Sequence, residues 1–223
     1  MPDNTAEQTS FTAIVGVGNI GSTLARLFVA SGEPVLLAST DGVHAKALAE
    51  ELGPPARAES VDYAIAQADT VVLALWLDAM REAIPPRARL FEGKVVVDPS
   101  NPVAFDATGQ VSRTLPDEQS AGSVVAALLP DDIHYVKAFG SIGAVDLAGA
   151  AHRQPRPAVL FYASDDDLAM TTAERLIRAA GFEPLRAGGF ADAGRIEGPS
   201  GDLNQFGLNG QLLDLDQARA ALA

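Results

Sequence analysis

Three glycines stand in the order G-x-G-x-x-G within Gly16-Val17-Gly18-Asn19-Ile20-Gly21, directly after the apolar run Thr12-Ala13-Ile14-Val15 and directly before Ser22 to Phe28, whose apolar residues recur at helical spacing. A strand running into such a turn and then into a helix offers free backbone N–H groups and the positive end of a helix dipole, which suits a dinucleotide pyrophosphate. In this reading Gly16 permits the tight turn, Gly18 lets the backbone approach the phosphates, and Gly21 lets helix and strand pack closely. The second strand ends at Ser39-Thr40, roughly 20 residues on, where the fingerprint calls for the ribose-binding position. An acid there would accept from the 2′-hydroxyl. Two hydroxyls, with His44 and Lys46 a turn further on, better suit a 2′-phosphate, so NADP(H) is the expected cofactor rather than NAD. Asp41 could bond the ribose or cap the helix that starts at Gly42.

Other chemistry is scarce. With no cysteine there is no thiol nucleophile, thiolate ligand or disulfide, and the three histidines, His44, His134 and His152, lack metal-ligand spacing. No Ser-His-Asp order and no paired carboxylates at strand ends occur. Hydride transfer between flat rings needs neither, since stacking at roughly 3–3.5 Å and exclusion of water suffice. Leu75 and Trp76 end the fourth expected strand, where open α/β sheets bind ligands, so Trp76 could wall a nicotinamide pocket or only plug a seam between sheet and helix. Asn101, followed by Pro102, could offer its amide to the nicotinamide or belong to a rigid turn. Lys137 is the charged residue of an otherwise apolar strand. It could bond a cofactor, donate a proton to a carbonyl or imine, or snorkel to solvent. Ala138 follows it on the cofactor side, and Gly140, Ser141 and Ile142 are expected to line the second substrate.

These residues need a scaffold, and the sequence supplies one by alternating short β-rich runs with amphipathic helical stretches. Expected strands are Phe11–Val15, Pro34–Ala38, a weak one near Arg57–Glu59, Thr70–Trp76, Lys94–Asp98 and Ile133–Phe139. Expected helices are Ile20–Ala30, Val43–Leu52, Val61–Ala68, Asp78–Ile84 and Gln119–Leu129. A second βαβ-like unit runs through Ala158–Ala163, Asp166–Ala180 and Phe182–Ala187, followed by a leucine-bearing segment from Leu203. The expectation is an α/β fold, a Rossmann-type parallel sheet with a small C-terminal α/β domain. Its parts are a loose tail over residues 1–10, a nucleotide-binding domain over 11–140 and an acceptor domain over 141–223, the boundary falling in the glycine-rich stretch Gly140–Gly149.

A net charge of −13 over 223 residues works against nucleic acid or an anionic membrane as partner, leaving a small molecule. Met1–Ser10 lack the order of a signal peptide, and the longest apolar run, Val71–Leu77, is far below the ~18 residues that span a bilayer, so the cytoplasm is the expected location.

The glycine turn, Leu73-Ala74-Leu75-Trp76, Asp98-Pro99-Ser100-Asn101-Pro102 and Val136-Lys137-Ala138-Phe139 occur in an order that resembles the NADPH-dependent F-420 reductase family, over roughly Thr12 to Pro199. The cytoplasmic domains of the vertebrate ferric-reductase STEAP proteins look similar. The resemblance implies a compact Rossmann domain followed by a small α/β domain, with nicotinamide passing hydride to a deazaflavin, F-420, in the cleft between them; beside it, a flavin such as FMN is the alternative acceptor to test. Two positions depart from the family pattern. Ser39-Thr40 stands where the family carries Ser-Arg, and Gly140-Ser141 where it carries His-Thr, the glycine being expected to widen the cleft. The anionic tail of F-420 would want a basic rim, for which Arg153, Arg156, Arg186 and Arg195 are the candidates if they converge. Arg195 and Glu197 could close the cleft or form a surface ion pair.

Three function classes follow: an F-420- or flavin-dependent NADP oxidoreductase, a reductase of a small carbonyl or imine using Lys137, and a non-catalytic dinucleotide sensor. For the last, Leu208, Leu212, Leu213 and Leu215 could form a homodimer face or fold onto their own domain.

Overall fold

The runs Thr12–Val15 (β1), Val35–Ala38 (β2), Thr70–Leu73 (β4) and Val95–Asp98 (β5) are buried along their whole length, so each needs cover on both faces. In the computed structural model, which describes residues 10–223, they lie at the centre of one sheet. Ala56–Ala58 (β3) borders it, the short hairpin Val103–Phe105 (β6) and Val111–Arg113 (β7) stands apart, and His134–Ala138 (β8), Val159–Ala163 (β9) and Glu183–Gly188 (β10) complete it. The order is β10-β9-β8-β5-β4-β1-β2-β3, eight strands, all parallel except for the antiparallel β8·β9 pair. The strand order reverses between β1 and β4, and at such a point the loops above the carboxyl ends part to form a crevice.

Crossover helices cover the faces. Asn19–Ala30 (α1) buries Gly21, Leu24, Ala25 and Phe28, a single stripe at helical spacing. Val43–Leu52 (α2), Val61–Gln67 (α3) and Leu77–Ala83 (α4) follow, then Ala121–Ala126 (α5), Ala144–Gly149 (α6), Asp167–Ala179 (α7) and Leu215–Leu222 (α8). Asp166 caps α7, its carboxylate accepting from the Ala169 N–H at 2.8 Å. Leu24 and Phe28 of α1, Leu147 of α6 and Leu176 of α7 share one core layer; Ile65, Met80 and Val125, from α3 to α5, belong to the other.

No separate sheet forms after residue 140. Strands β9 and β10 extend the main sheet beyond β8, so the stretch Gly140–Gly149 marks a reversal of strand direction within one sheet. The hairpin at 103–113 has no counterpart among the sequence expectations. From Leu203 to Leu213 the chain is irregular, with Leu208, Leu213 and Leu215 packed in a third cluster under α8 and Leu212 against the first core. Apart from Ser10, the tail expected at residues 1–10 lies outside the described residues. Among those, no helix is long and apolar enough to cross a membrane.

Candidate functional site

The glycine turn separates three roles by geometry. Gly16 has φ +97°, and a Cβ on it would sit 2.3 Å from the Ala74 carbonyl oxygen. A Cβ on Gly21 would sit 1.9 Å from the Gly16 carbonyl oxygen, so helix α1 rests directly on the turn. Around Gly18 a Cβ would meet nothing within 4 Å. Gly18 and Asn19 are exposed, no side chain caps α1, and no acid stands in its first turn, which leaves N–H donors facing open space. A side-chain-free approach to uncapped donors at a helix start fits a pyrophosphate.

Beside this turn a cleft of about 1250 Å³ opens over the carboxyl ends of β1, β2 and β4, lined by Gly16, Ser39, Thr40, Lys46 and Leu75 among others. Its cations differ in availability. Arg87 is bonded to Asp62 at 2.6 Å, whereas Lys46 has no ion-pair partner among the described residues. Asp41 is occupied in starting α2: its carboxylate accepts from the Val43 N–H at 3.1 Å and from the Ser39 hydroxyl at 3.3 Å. His44 lies 3.3 Å from the same carboxylate.

Further along the edge, the sequence-derived candidates divide between a hydrogen-bonded knot and the interior. The Asn101 amide donates to the Gly140 carbonyl at 2.9 Å and accepts from the Gly198 N–H at 2.7 Å, while Asn204 donates to the same Gly140 carbonyl at 3.0 Å. Gly140 does not widen the cleft. It is buried, and a Cβ there would lie 2.8 Å from the Pro99 carbonyl oxygen, so the missing side chain lets two backbone segments meet. Pro102, Ala138, Ser141 and Ile142 are buried as well, the Ser141 hydroxyl without a hydrogen-bond partner. Phe139, between Ala138 and Gly140, takes φ +65° and packs edge to face on Phe28. A bulky residue in that region is strained and marks an over-determined backbone.

Lys137 does not reach the cleft. It is 1% exposed, and its ammonium donates to Asp98 Oδ2 at 2.9 Å and to the Ser100 carbonyl and hydroxyl, with Glu197 Oε1 at 3.5 Å. Glu197 is fully buried and does not pair with Arg195. Its carboxylate accepts the Ala121 and Gly122 N–H groups at 2.7 and 2.8 Å, while Arg195 binds Asp202. Tyr135 completes the cluster, its phenol donating to Asp98 at 2.5 Å. Burial pushes the Asp98 carboxyl up, but the Lys137 ammonium and hydrogen bonds from Tyr135, Ser100 and Lys137 outweigh it and hold the group below the usual carboxylate range. Burial first, and then the Asp98 charge, raise Tyr135 well above an ordinary phenol.

Tyr135 and Asn204 were not among the sequence candidates, Asp98 and Ser100 entered only as part of a motif with no role of their own, and Glu197 was expected at the cleft or on the surface rather than in the interior. The acid ending an apolar strand and followed by Pro-Ser was the available signal for Asp98 and Ser100; nothing local marks Glu197 as interior. The four arginines proposed as a basic rim do not converge. Arg156 binds Asp214 and Asp216, Arg186 the Ser164 carbonyl and Asp165, Arg195 Asp202, and Arg153 the Leu212 carbonyl.

Residues 12–102 match the family described as NADP oxidoreductase, coenzyme F420-dependent. Among solved structures, a hypothetical protein, SMa0349, of Sinorhizobium meliloti is 28% identical, with a TM-score of 0.78 over 92% of this chain and 95% of that one. A protein of Arthrobacter sp. FB24 described as a candidate F420-dependent NADP-reductase is 21% identical, with a TM-score of 0.69 over 82% of this chain and 86% of that one. A reductive aminase of Aspergillus terreus, solved with NADPH4, cyclohexanone and allyl amine, is 19% identical with a TM-score of 0.57 over 82% of this chain, which spans only 56% of that longer protein. At such identities the last two show a shared fold. No curated protein sequence matches the chain. With the glycine turn and the strand order agreeing, residues 12–102 are similar to the F420-dependent NADP oxidoreductase family over that nucleotide-binding segment.

Proposed function

We propose that the chain catalyses hydride transfer between NADP(H) and a flat, ring-bearing acceptor. The observation that carries this reading is the glycine turn, in which two glycines are required by packing and the third, Gly18, is left open beside uncapped helix donors. The N–H groups at the start of α1 hold the pyrophosphate. Thr40 and, on turning its hydroxyl away from Asp41, Ser39 hydrogen-bond the 2′-phosphate, and Lys46, which has no ion-pair partner among the described residues, neutralises it. Leu75 lines the same cleft directly beside the turn. The bound dinucleotide supplies the hydride, one hydrogen with two electrons, and the acceptor ring takes its second hydrogen as a proton from water.

No side chain has to act as acid. The second reading, reduction of a small carbonyl or imine, needs a donor facing the substrate, and the donor it would use, Lys137, has its ammonium bonded to Asp98 and Ser100. A small-molecule acceptor, with neither nucleic acid nor membrane as partner, and a cytoplasmic setting complete the proposal. Titration with NADPH and NADH tests it: NADPH binds more tightly, and Lys46→Ala weakens NADPH about tenfold, the worth of one charge-assisted hydrogen bond, while leaving NADH unchanged. Absence of NADPH binding, or NADPH bound without oxidation across quinone, flavin and deazaflavin acceptors, overturns it.

A further inference from the structure

Trp76 and Phe105 are 61% and 54% exposed, yet they meet edge to face, ring centroids 6.0 Å apart at 75°. Trp76 directly follows Leu75, a wall of the nucleotide cleft, and opens α4, whereas Phe105 comes from the hairpin β6–β7, which the rest of the core does not require. The hairpin is held in place. Asp106 accepts from the Thr108 and Gln110 N–H groups at 2.8 and 2.9 Å, and the Thr114 N–H donates to the Pro102 carbonyl at 2.8 Å. Two large aromatic faces, preset at a right-angled corner and left in water beside a ligand cleft, make a stacking surface for another ring.

Charge decides which ring. Of the sixteen Lys and Arg side chains, only Lys46, Arg89 and Arg219 lack a hydrogen-bond, ion-pair or aromatic partner among the described residues. Lys46 lies at the adenosine end of the cleft, Arg89 in the turn leading to the amino end of β5, and Arg219 on the terminal helix. The arginines of α4 and of the hairpin, the two elements that form the corner, are engaged: Arg81 with Asp78, and Arg113 with the Leu115, Pro116 and Gln119 carbonyls. A chain of net charge −13 with no free cation at this mouth among the described residues repels an anionic ligand there.

We propose that the Trp76–Phe105 corner is the acceptor site and that it takes an uncharged planar ring rather than one carrying a phosphate or carboxylate tail. This rests on the hydride-transfer reading above. Lumiflavin and FMN share one redox ring and differ in the ribityl phosphate at N10, riboflavin, with the ribityl chain and no phosphate, is the control that ranks with lumiflavin, and Trp76, the single tryptophan, reports binding by its own fluorescence. With NADP+ bound, lumiflavin quenches Trp76 at a concentration about fivefold or more below that needed by FMN, and the gap narrows in about 0.5 M salt. Phe105→Ala weakens lumiflavin about tenfold and leaves NADPH affinity unchanged. Steady-state rates with NADPH as donor follow the same order, and F-420 ranks with FMN. Equal or tighter binding of FMN or F-420 overturns the proposal while leaving hydride transfer intact. Quenching in this order without NADPH oxidation leaves the site standing and removes the hydride-transfer reading. If Phe105→Ala changes the oligomeric state and not the lumiflavin affinity, the corner is a protein interface and the proposal fails.

Discussion

Gly18→Ala separates ligand binding from folding. The residue has φ −72° and ψ −160°, an extended conformation open to alanine, and its Cβ would meet nothing within 4 Å. Two small stability effects oppose each other: alanine reduces unfolded-state entropy, worth about 0.4–1 kcal/mol, and is a poorer helix N-cap by a similar amount. The net change is within about 0.5 kcal/mol, or under ~2 °C in Tm for a chain of this length. The new methyl nevertheless occupies the approach to the α1 donors. Loss of one charge-assisted hydrogen bond to phosphate, about 1.5–3 kcal/mol, weakens NADPH roughly 10- to 150-fold. Gly21→Ala is the counterpart, because its Cβ would lie 1.9 Å from the Gly16 carbonyl oxygen. It costs about 3 kcal/mol or more in stability before any ligand is added. Urea unfolding and isothermal titration with NADPH on both variants give the four numbers. Wild-type NADPH affinity in a normally folded Gly18→Ala protein would refute the assignment of this turn to phosphate binding.

Lys137→Met leaves Asp98 and Glu197 as uncompensated buried carboxylates, and urea unfolding should show a loss of about 3–5 kcal/mol. A loss under about 1 kcal/mol would mean that the ammonium is not paired as described. The pH dependence of stability has two limbs. Because Asp98 is held below its ordinary value, its contribution is present above about pH 4 and is lost as pH falls through the lowered value. Tyr135 is held above its ordinary value, so stability falls as pH rises past about 10, where the unfolded phenol ionises first. Urea midpoints across pH check both limbs, and Tyr135→Phe should flatten the alkaline one; an unchanged alkaline limb would place the effect elsewhere.

The central strands were legible because a strand covered on both faces must be apolar at every position, and runs such as Val95-Val96-Val97 can hardly be anything else here. Their ends were less so. The fourth strand was expected to reach Trp76 but stops at Leu73, since Ala74 and Leu75 turn to pack against Gly16, a contact fixed by the glycine's missing side chain. The hairpin was not legible because its strands are three residues each and none of the six residues is buried, too short for an apolar run or an alternation to mark a strand. Its turn, Asp106-Ala107-Thr108-Gly109, was the readable signal. The leucines after Leu203 could have formed a dimer face or folded onto their own domain; Gly207 and the left-handed Asn209-Gly210 pair keep the segment irregular, and Leu208, Leu213 and Leu215 pack into the third cluster. The glycine turn was readable because its three roles are local. The fates of Lys137 and Gly140 were not, because both depend on partners brought together only when β5, β8 and the 196–204 segment meet.

That meeting point explains why a buried ion cluster persists where apolar packing would give equal stability. Well-packed hydrophobic residues often replace such clusters at no loss, so Asp98, Lys137 and Glu197 need a reason other than stability. Apolar contacts are non-directional, whereas each bond in the cluster fixes an angle as well as a distance. Asp98 ends β5, Lys137 lies one residue from the end of β8, and Glu197 binds the first N–H groups of α5. From this cluster the next residues outward, Asn101, Gly140 and Gly198, are joined by their own hydrogen bonds. The lysine that looked from sequence like a cleft cation therefore acts in the interior, holding the strand ends from which the backbone of Asn101, Gly140 and Gly198 is set.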